Sequence, residues 1–469
     1  MSQASKKHLT GSTRRSVLLK TLAVIPTYYF GLYASHVFAQ ELQGVKVIVV
    51  GAGISGLAAA QTLKAHGAEV VVLESEDRVG GRIQTDYSLG PPFEIGAGWI
   101  HGPSARNPIK KLSKKIDAKT FITSDENYML FDNKGRVVSD KKFDDIDRKW
   151  ASILKHIDNE LDTGDTRTLL EVIEAEFPGV MGDPLLRWAF SAYTEFDKGA
   201  SIGNLSAYYH DEDDYFNGKD VILTEGYDKI LQPLTRDLNI KLRCKVKAIS
   251  YGGDGVEVSC INNDFFADYV ICSVPLGVLK KNKIQFVPKL PTKFENKIKR
   301  LGFGSVTKVG LQFEKPFWDP AVQYFGIATE PTGRWNLWMN YKTFSDKNIL
   351  MGISCGEYAL TADKMSEQEL KNDVLSVLRS IWGDRVPNPV RIVSTKWSQV
   401  ESAFGAYSYP TNSCAPRDFD GLAEGVAGDY YNTLFFCGEH TTFDYAGTTH
   451  GAYLSGIWAA EAVLEEETK

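Results

Sequence analysis

The residue whose position bears most on chemistry is a lysine. FGSVTKVGLQFEKPFW, residues 303–318, reads as a β-strand running into a turn, with Lys308 in its middle. Period-two alternation puts Lys308 on one face with Val306, Gly310 and Gln312, and puts Ser305, Thr307, Val309, Leu311 and Phe313 on the other. A strand lysine ordinarily faces water, because an ammonium is buried only where it is paired or put to use. A desolvated lysine has a lowered pKa, which suits proton transfer near neutral pH. The strand alone leaves both readings open.

The elements that would position such a lysine begin with VKVIVVGAGISGLAAAQTLKAHGAEVVVLES, from Val45. A β-branched run ends in Gly51, Gly53 and Gly56, a helix follows with Ser55 in its first turn, and a second strand, Glu69 to Leu73, ends at Glu74. Gly51 permits a tight turn, Gly53 lets backbone approach a pyrophosphate, and Gly56 lets helix pack closely on strand. Phosphates suit the helix N-terminus, where unpaired N–H groups and the dipole favour negative charge. Glu74 is placed to accept hydrogen bonds from ribose hydroxyls. Strand, glycines, helix, strand and acid in this order predict a dinucleotide site; by themselves they do not choose between NAD and FAD.

EDRVGGRIQTDY follows directly, crowding Arg78, Gly80, Gly81 and Arg82 into one loop. This resembles the R-x-G-G-R extension of the FAD-dependent amine oxidase family. At the far end, NTLFFCGEHTTFDYAGTTHGAYLSGIWAAEAVL, residues 432–464, resembles the same family's second nucleotide segment. The resemblance implies that Gly438 and Glu439 meet the ribityl chain and that the helix start around Thr448, Thr449 and Gly451 points amides at the flavin. A third piece, residues 245–279, carries Val246 where the family makes an adenine contact.

From Val45 to Leu464 the order of motifs resembles flavin-containing amine oxidases, closest to polyamine and spermine oxidases and more distantly the histone demethylases. EIGAGWIHGPSARNPI is similar to the spermine oxidase stretch after the flavin loop, which implies that Gly98 and Trp99 lie by the cofactor and His101 beside the substrate channel. Gly304, Lys308, Phe313, Pro316, Phe317 and Trp318 match the family strand whose lysine holds a water against the flavin. The resemblance thus gives Lys308 a catalytic place. TKWSQVESAFGAYSYP implies Trp397 near the ring and Tyr407 as one aromatic wall; Thr448 replaces a second wall, with Tyr445 and Tyr453 expected nearby. Ala406 stands where some relatives tether FAD through cysteine, so the cofactor is expected to be non-covalent.

The activity implied is oxidation of a polyamine C–N bond to an aldehyde and a shorter amine, with O₂ reduced to hydrogen peroxide. Glu195 resembles a channel glutamate of plant polyamine oxidases, whereas Asp211, Glu212, Asp213 and Asp214 read first as a solvated acidic loop. An amino acid oxidase on the same scaffold would need an arginine to clamp a carboxylate, and Arg106, Arg187 and Arg334 match no motif. A flavoprotein that binds a partner without turnover is the rival of another class. Neither a metal cluster nor a Ser-His-Asp arrangement is found.

Composition agrees with an ordinary globular chain: 469 residues, 43% hydrophobic and 24% charged, enough for two domains. Residues 1–39 carry Lys6, Lys7, Arg14, Arg15 and Lys20, no acid, and then an apolar stretch, which resembles a twin-arginine export signal. Cleavage after Ala39 and a periplasmic location are expected, with no membrane insertion afterwards; an uncleaved anchor is the alternative. Losing that segment moves the formal net charge from −6 to −11, which disfavours nucleic acid and would draw cationic small molecules. The six cysteines form no C-x-x-C pair, and no structural disulfide is expected. The fold class expected is α/β with an α+β second domain. A Rossmann-like FAD-binding domain comes from residues 40–110, 226–290 and 395–469, and a substrate domain of mixed sheet and helices from 111–225 and 291–394. Nothing in the chain speaks to oligomeric state.

Overall fold

The computed structural model describes residues 41–253 and 255–469. The export signal read at residues 1–39 lies outside them. Among the described residues no helix is long and apolar enough to cross a membrane.

The glycine-loop reading is realised as a parallel sheet. Lys46–Val50 pairs with Glu69–Leu73 on one side and with Tyr269–Cys272 on the other, and Asn432–Phe436 adds beyond Tyr269–Cys272. Asn239–Lys241 and the short antiparallel strand Val426–Ala427 complete six strands. Val47, Ile48 and Val49 are buried on both faces, which is why this strand is a continuous apolar run without alternation. Helix Ile54–Ala65 packs against helix Thr449–Glu467, drawn from the other end of the chain. Their closeness requires Gly456: a Cβ there would lie 2.1 Å from the Ser55 carbonyl oxygen.

A second six-stranded sheet is ordered Arg391–Ser394, Thr307–Gln312, Ile349–Ser354, Leu337–Asn340, Tyr324–Ile327 and Tyr128–Phe131. Its strand Thr307–Gln312 divides its faces as alternation requires. Val309, Leu311 and Phe313 join a core with Trp335, Trp338 and the inner side of helix Glu367–Trp382, whose N-terminus carries a Ser366–Glu369 capping box. The Lys308 face is covered as well: Gly310 lies so near Phe93 and Leu89 that a Cβ would come within 2.7 and 2.8 Å of them. Helix Asp140–Glu160, legible from its apolar periodicity, packs Ile146, Trp150, Ile153 and Leu154 inward.

Candidate active site

Between the two sheets runs a cavity of about 490 Å³ lined from the glycine loop to Tyr407. At the loop, Gly51 takes φ 103°, which only glycine adopts readily. Gly53 caps the 12-residue helix without a side-chain hydrogen bond, so its first-turn amides open towards the cavity. A Cβ on Gly53 would meet no protein atom within 4 Å; that clear space is what a pyrophosphate needs. Glu74 is buried and accepts from the amides of Ala52 (2.7 Å) and Glu76 (2.8 Å), which fixes the loop to the end of the second strand. Ser55 hydrogen-bonds Ser455 at 3.1 Å and, with Val246, Gly81, Gly438 and Thr449, lines the cavity. These residues fit a dinucleotide cofactor.

Arg82 donates from Nη1 to Glu439 Oε1 (2.7 Å) and to the Ala406 carbonyl (2.7 Å). The other Glu439 oxygen accepts from Ser408 Oγ (2.5 Å) and from the amides of Ser408 (3.2 Å) and Gly447 (3.0 Å). Burial works to raise this carboxyl's pKa, but Arg82, His440 and Ser408 prevail and hold it below the usual range. Glu439 therefore ties three cavity segments together, and its oxygens are already engaged by protein.

Lys308 is 7% exposed and lines the cavity, so the water-facing reading of its strand gives way. Nζ donates to the carbonyls of Glu94 (3.1 Å) and Gly96 (2.5 Å) and lies 5.1 Å from the Trp99 ring centroid. Burial pushes its pKa down to about 8, with Glu94 opposing. Burial pushes Glu94 the other way, to about 7, against bonds from Thr85 and the Tyr227 amide. Trp397 donates from Nε1 to the Ile95 carbonyl (3.1 Å), which fixes the same 94–96 segment from the opposite side.

The Tyr407 ring is clamped. Its hydroxyl donates to the Phe196 carbonyl (2.6 Å), and Cβ atoms on Gly199 or Gly447 would come within 2.7 and 3.2 Å of the ring. Asp197, Asp211, Asp213, Asp214 and Asp220 also line the cavity. The acidic run is thus not only a solvated loop. Lys198 bonds Asp213 at 2.7 Å and Asp197 at 3.2 Å. His101 Nδ1 lies 2.7 Å from Asp220 Oδ2. Partial desolvation disfavours the charged ring, but Asp220 outweighs it and raises the imidazole pKa.

Two sequence assignments change. Arg78 does not line the cavity; it braces its own loop by donating to the carbonyls of Val79, Ile83 and Gly81, because glycines at 80 and 81 turn those carbonyls inward. Glu195 is buried away from the cavity and accepts from the Ile202 amide (3.0 Å). Tyr193, Thr194, Asp197 and Lys198 share the opposite face of that helical stretch, so Asp197 and not Glu195 faces the cavity. Tyr445 stands one layer behind the lining, stacked on Phe216 at 5.5 Å and packed edge-on to His450 at 5.3 Å, and Tyr453 does not line the cavity. Gly98, Trp99, His101, Trp397 and Thr448 all line it, and Gly56 serves packing, as expected. Asp220, Lys198 and His450 were not foreseen; none lies in a local pattern that marks it.

The model for flavin containing amine oxidoreductase matches residues 54–464. Polyamine oxidase 2 of Arabidopsis thaliana is 32% identical over 435 residues, covering 88% of this chain and 87% of that protein. Lysine-specific histone demethylase 1 homolog 2 of the same plant is 34% identical over 454 residues, covering 92% of this chain and 60% of that longer protein. The fold matches a putrescine oxidase double mutant, solved in a redesign of cofactor binding, with TM-score 0.72 and 20% identity over 90% of this chain and 99% of that one. The chain belongs to the flavin-containing amine oxidoreductase family and is an FAD-dependent amine oxidase.

Proposed function

We propose that the chain oxidises polyamines of the spermine and spermidine class. One C–N bond is cut: amine, dioxygen and water give an aldehyde, a shorter amine and hydrogen peroxide. The observation that carries this reading is the set of five aspartates that line the same cavity as the clamped Tyr407, a lining suited to an extended multication. Flavin, when bound, supplies the two-electron acceptor for the amine and its return to dioxygen.

The protein's part is positioning and proton handling. Tyr407 and Trp99 give an apolar end where an uncharged nitrogen is favoured, while the aspartates hold the remaining ammonium groups. Lys308 directs two N–H bonds to carbonyls and keeps its third position for a proton in the cavity. His101, oriented by Asp220, holds a second proton at the wall. Arg82 is the only arginine lining the cavity among the described residues, and it is paired with Glu439; Arg187 and Arg334 bond Glu330 and Asp373 elsewhere. A carboxylate clamp for amino acids is therefore missing from the lining.

The test is peroxide release by the FAD-loaded protein with spermine, spermidine, their N-acetyl forms, putrescine, benzylamine and L-amino acids. Turnover confined to polyamines is expected. Turnover confined to amino acids would overturn the reading, and flavin reduction without peroxide would replace dioxygen with another acceptor.

A further inference from the structure

The sequence predicts no structural disulfide, yet one pair of thiols is placed for one. Strands Val246–Ser250 and Val256–Cys260 form an antiparallel hairpin in which Val246 pairs with Cys260. Cys244 precedes the first strand by two residues, and its Sγ lies 2.6 Å from Cys260 Sγ, closing the open end of the hairpin. The other four cysteines are buried free thiols with no such partner described. This closure stands at the nucleotide site. Cys244 and Val246 both line the cavity, and the Cys244 amide donates to the Glu74 carbonyl at 2.7 Å. Glu74 in turn holds the Ala52 amide inside the glycine loop.

We propose that Cys244 and Cys260 are oxidised to a disulfide that staples this wall of the FAD site and slows cofactor release. The oxidant class is a disulfide, small or protein-borne. Cys244, which opens on the cavity, loses its proton and attacks one sulfur of the oxidant, expelling the first thiolate and forming a mixed disulfide. Cys260 then loses its proton and attacks Cys244 Sγ, expelling the second thiolate. Two S–H bonds are lost, one S–S bond forms, and the two electrons leave with the reduced oxidant. Cys244 lines the cavity and Cys260 does not, which sets this order: Cys244 attacks first and Cys260 resolves; burial also pushes the Cys260 thiol up.

The closed loop adds a covalent constraint at one end of the four-stranded sheet in which each hairpin strand has one further partner, Gln285–Val287 or Asp264–Ala267. Oxidation removes freedom from the open state that cofactor release must visit, and leaves the closed state unchanged.

The test uses the FAD-loaded protein equilibrated with glutathione disulfide, then denatured in iodoacetamide without reductant. Intact mass should show four of the six cysteines alkylated, and digestion should give one linked peptide pair containing Cys244 and Cys260. Six alkylated cysteines, or a bridge between other residues, would overturn the proposal. After dilution, recovery of free flavin fluorescence should be several-fold slower for oxidised than for reduced protein. The double variant Cys244→Ser, Cys260→Ser should release at the reduced rate whatever the oxidant. Equal release from oxidised and reduced wild type would remove the staple's role. None of these readouts involves amine turnover, so their outcome is independent of the substrate reading.

Discussion

Arg82 and Glu439 stand 357 positions apart in sequence and 2.7 Å apart in the cavity wall. The ion pair joins the glycine-rich loop after the second strand to the Gly-Glu turn near the chain's end, and Glu439 carries it on to Ser408 and Gly447. Removing one partner leaves a largely desolvated charge behind.

Glu439→Gln should therefore lower stability by about 3 kcal/mol, the scale for breaking a buried pair from one side. It should also loosen FAD. Thermal melts with and without added FAD, set against Arg82→Met and the double variant, measure the pair directly: a double variant less damaged than Glu439→Gln alone identifies the stranded guanidinium as the cause.

Lys308→Met should separate chemistry from stability. The lysine's folded pKa of about 8 lies below its unfolded value near 10.4, so the unfolded chain binds more protons between those values and stability rises with pH across that window. Below pH 8 the buried ammonium costs up to about 3 kcal/mol, a cost that methionine lacks. The variant should melt at higher temperature than wild type at pH 7, with the gain fading towards pH 10, and its flavin turnover should lose the pH-dependent limb near 8. A variant less stable than wild type at pH 7 would show that the carbonyl bonds to Glu94 and Gly96 outweigh desolvation.

Lys198 neutralises part of the acidic wall through Asp213 and Asp197. Lys198→Gln should leave that wall more negative and lower the KM for a polyamine about tenfold at low ionic strength, since one charge about 10 Å away is worth about 1.7 kcal/mol at an effective dielectric near 20. The advantage should shrink in 0.5 M salt, because the Asp197 side chain is 38% exposed and salt screens charges that solvent reaches. KM measured at two salt concentrations checks both statements.

Gly456→Ala places a methyl where the Ser55 carbonyl leaves no room. The two helices must part, at a cost of about 1–3 kcal/mol. Purified protein should carry less flavin, read from its visible absorbance relative to 280 nm, and Gly456→Val should carry none.

These sites differ in how far the sequence announced them. Gly51, Gly53 and Glu74 were legible because strand, turn and helix N-terminus form one local unit whose spacing is fixed by geometry. The Lys308 face was legible by alternation, but its burial depended on Phe93 and Leu89, which arrive from more than 200 residues earlier. Glu195 misled because the helical register there was not read: in the helical turns through Phe190–Glu195 and Phe196–Lys198, the face carrying Tyr193 and Asp197 turns to the cavity and Glu195 turns away. Arg78 and Arg82 look alike in the loop, yet across the left-handed Gly80 and Gly81 the first braces its own loop and the second faces the cavity, a difference no residue type announces. Asp220 acquires its meaning from His101, a pairing across 119 residues that no local pattern carries.

The helix pair Ile54–Ala65 and Thr449–Glu467 has a consequence for biosynthesis. A ribosome delivers the glycine loop more than 370 residues before its supporting strand Asn432–Phe436 and its partner helix Thr449–Glu467. While these final segments remain in the exit tunnel, the nascent chain has half a cofactor cradle and an uncovered apolar helix face. Flavin capture must therefore wait until Thr449–Glu467 has emerged, and a chain stopped before Asn432 would lose it while keeping every residue of the glycine fingerprint.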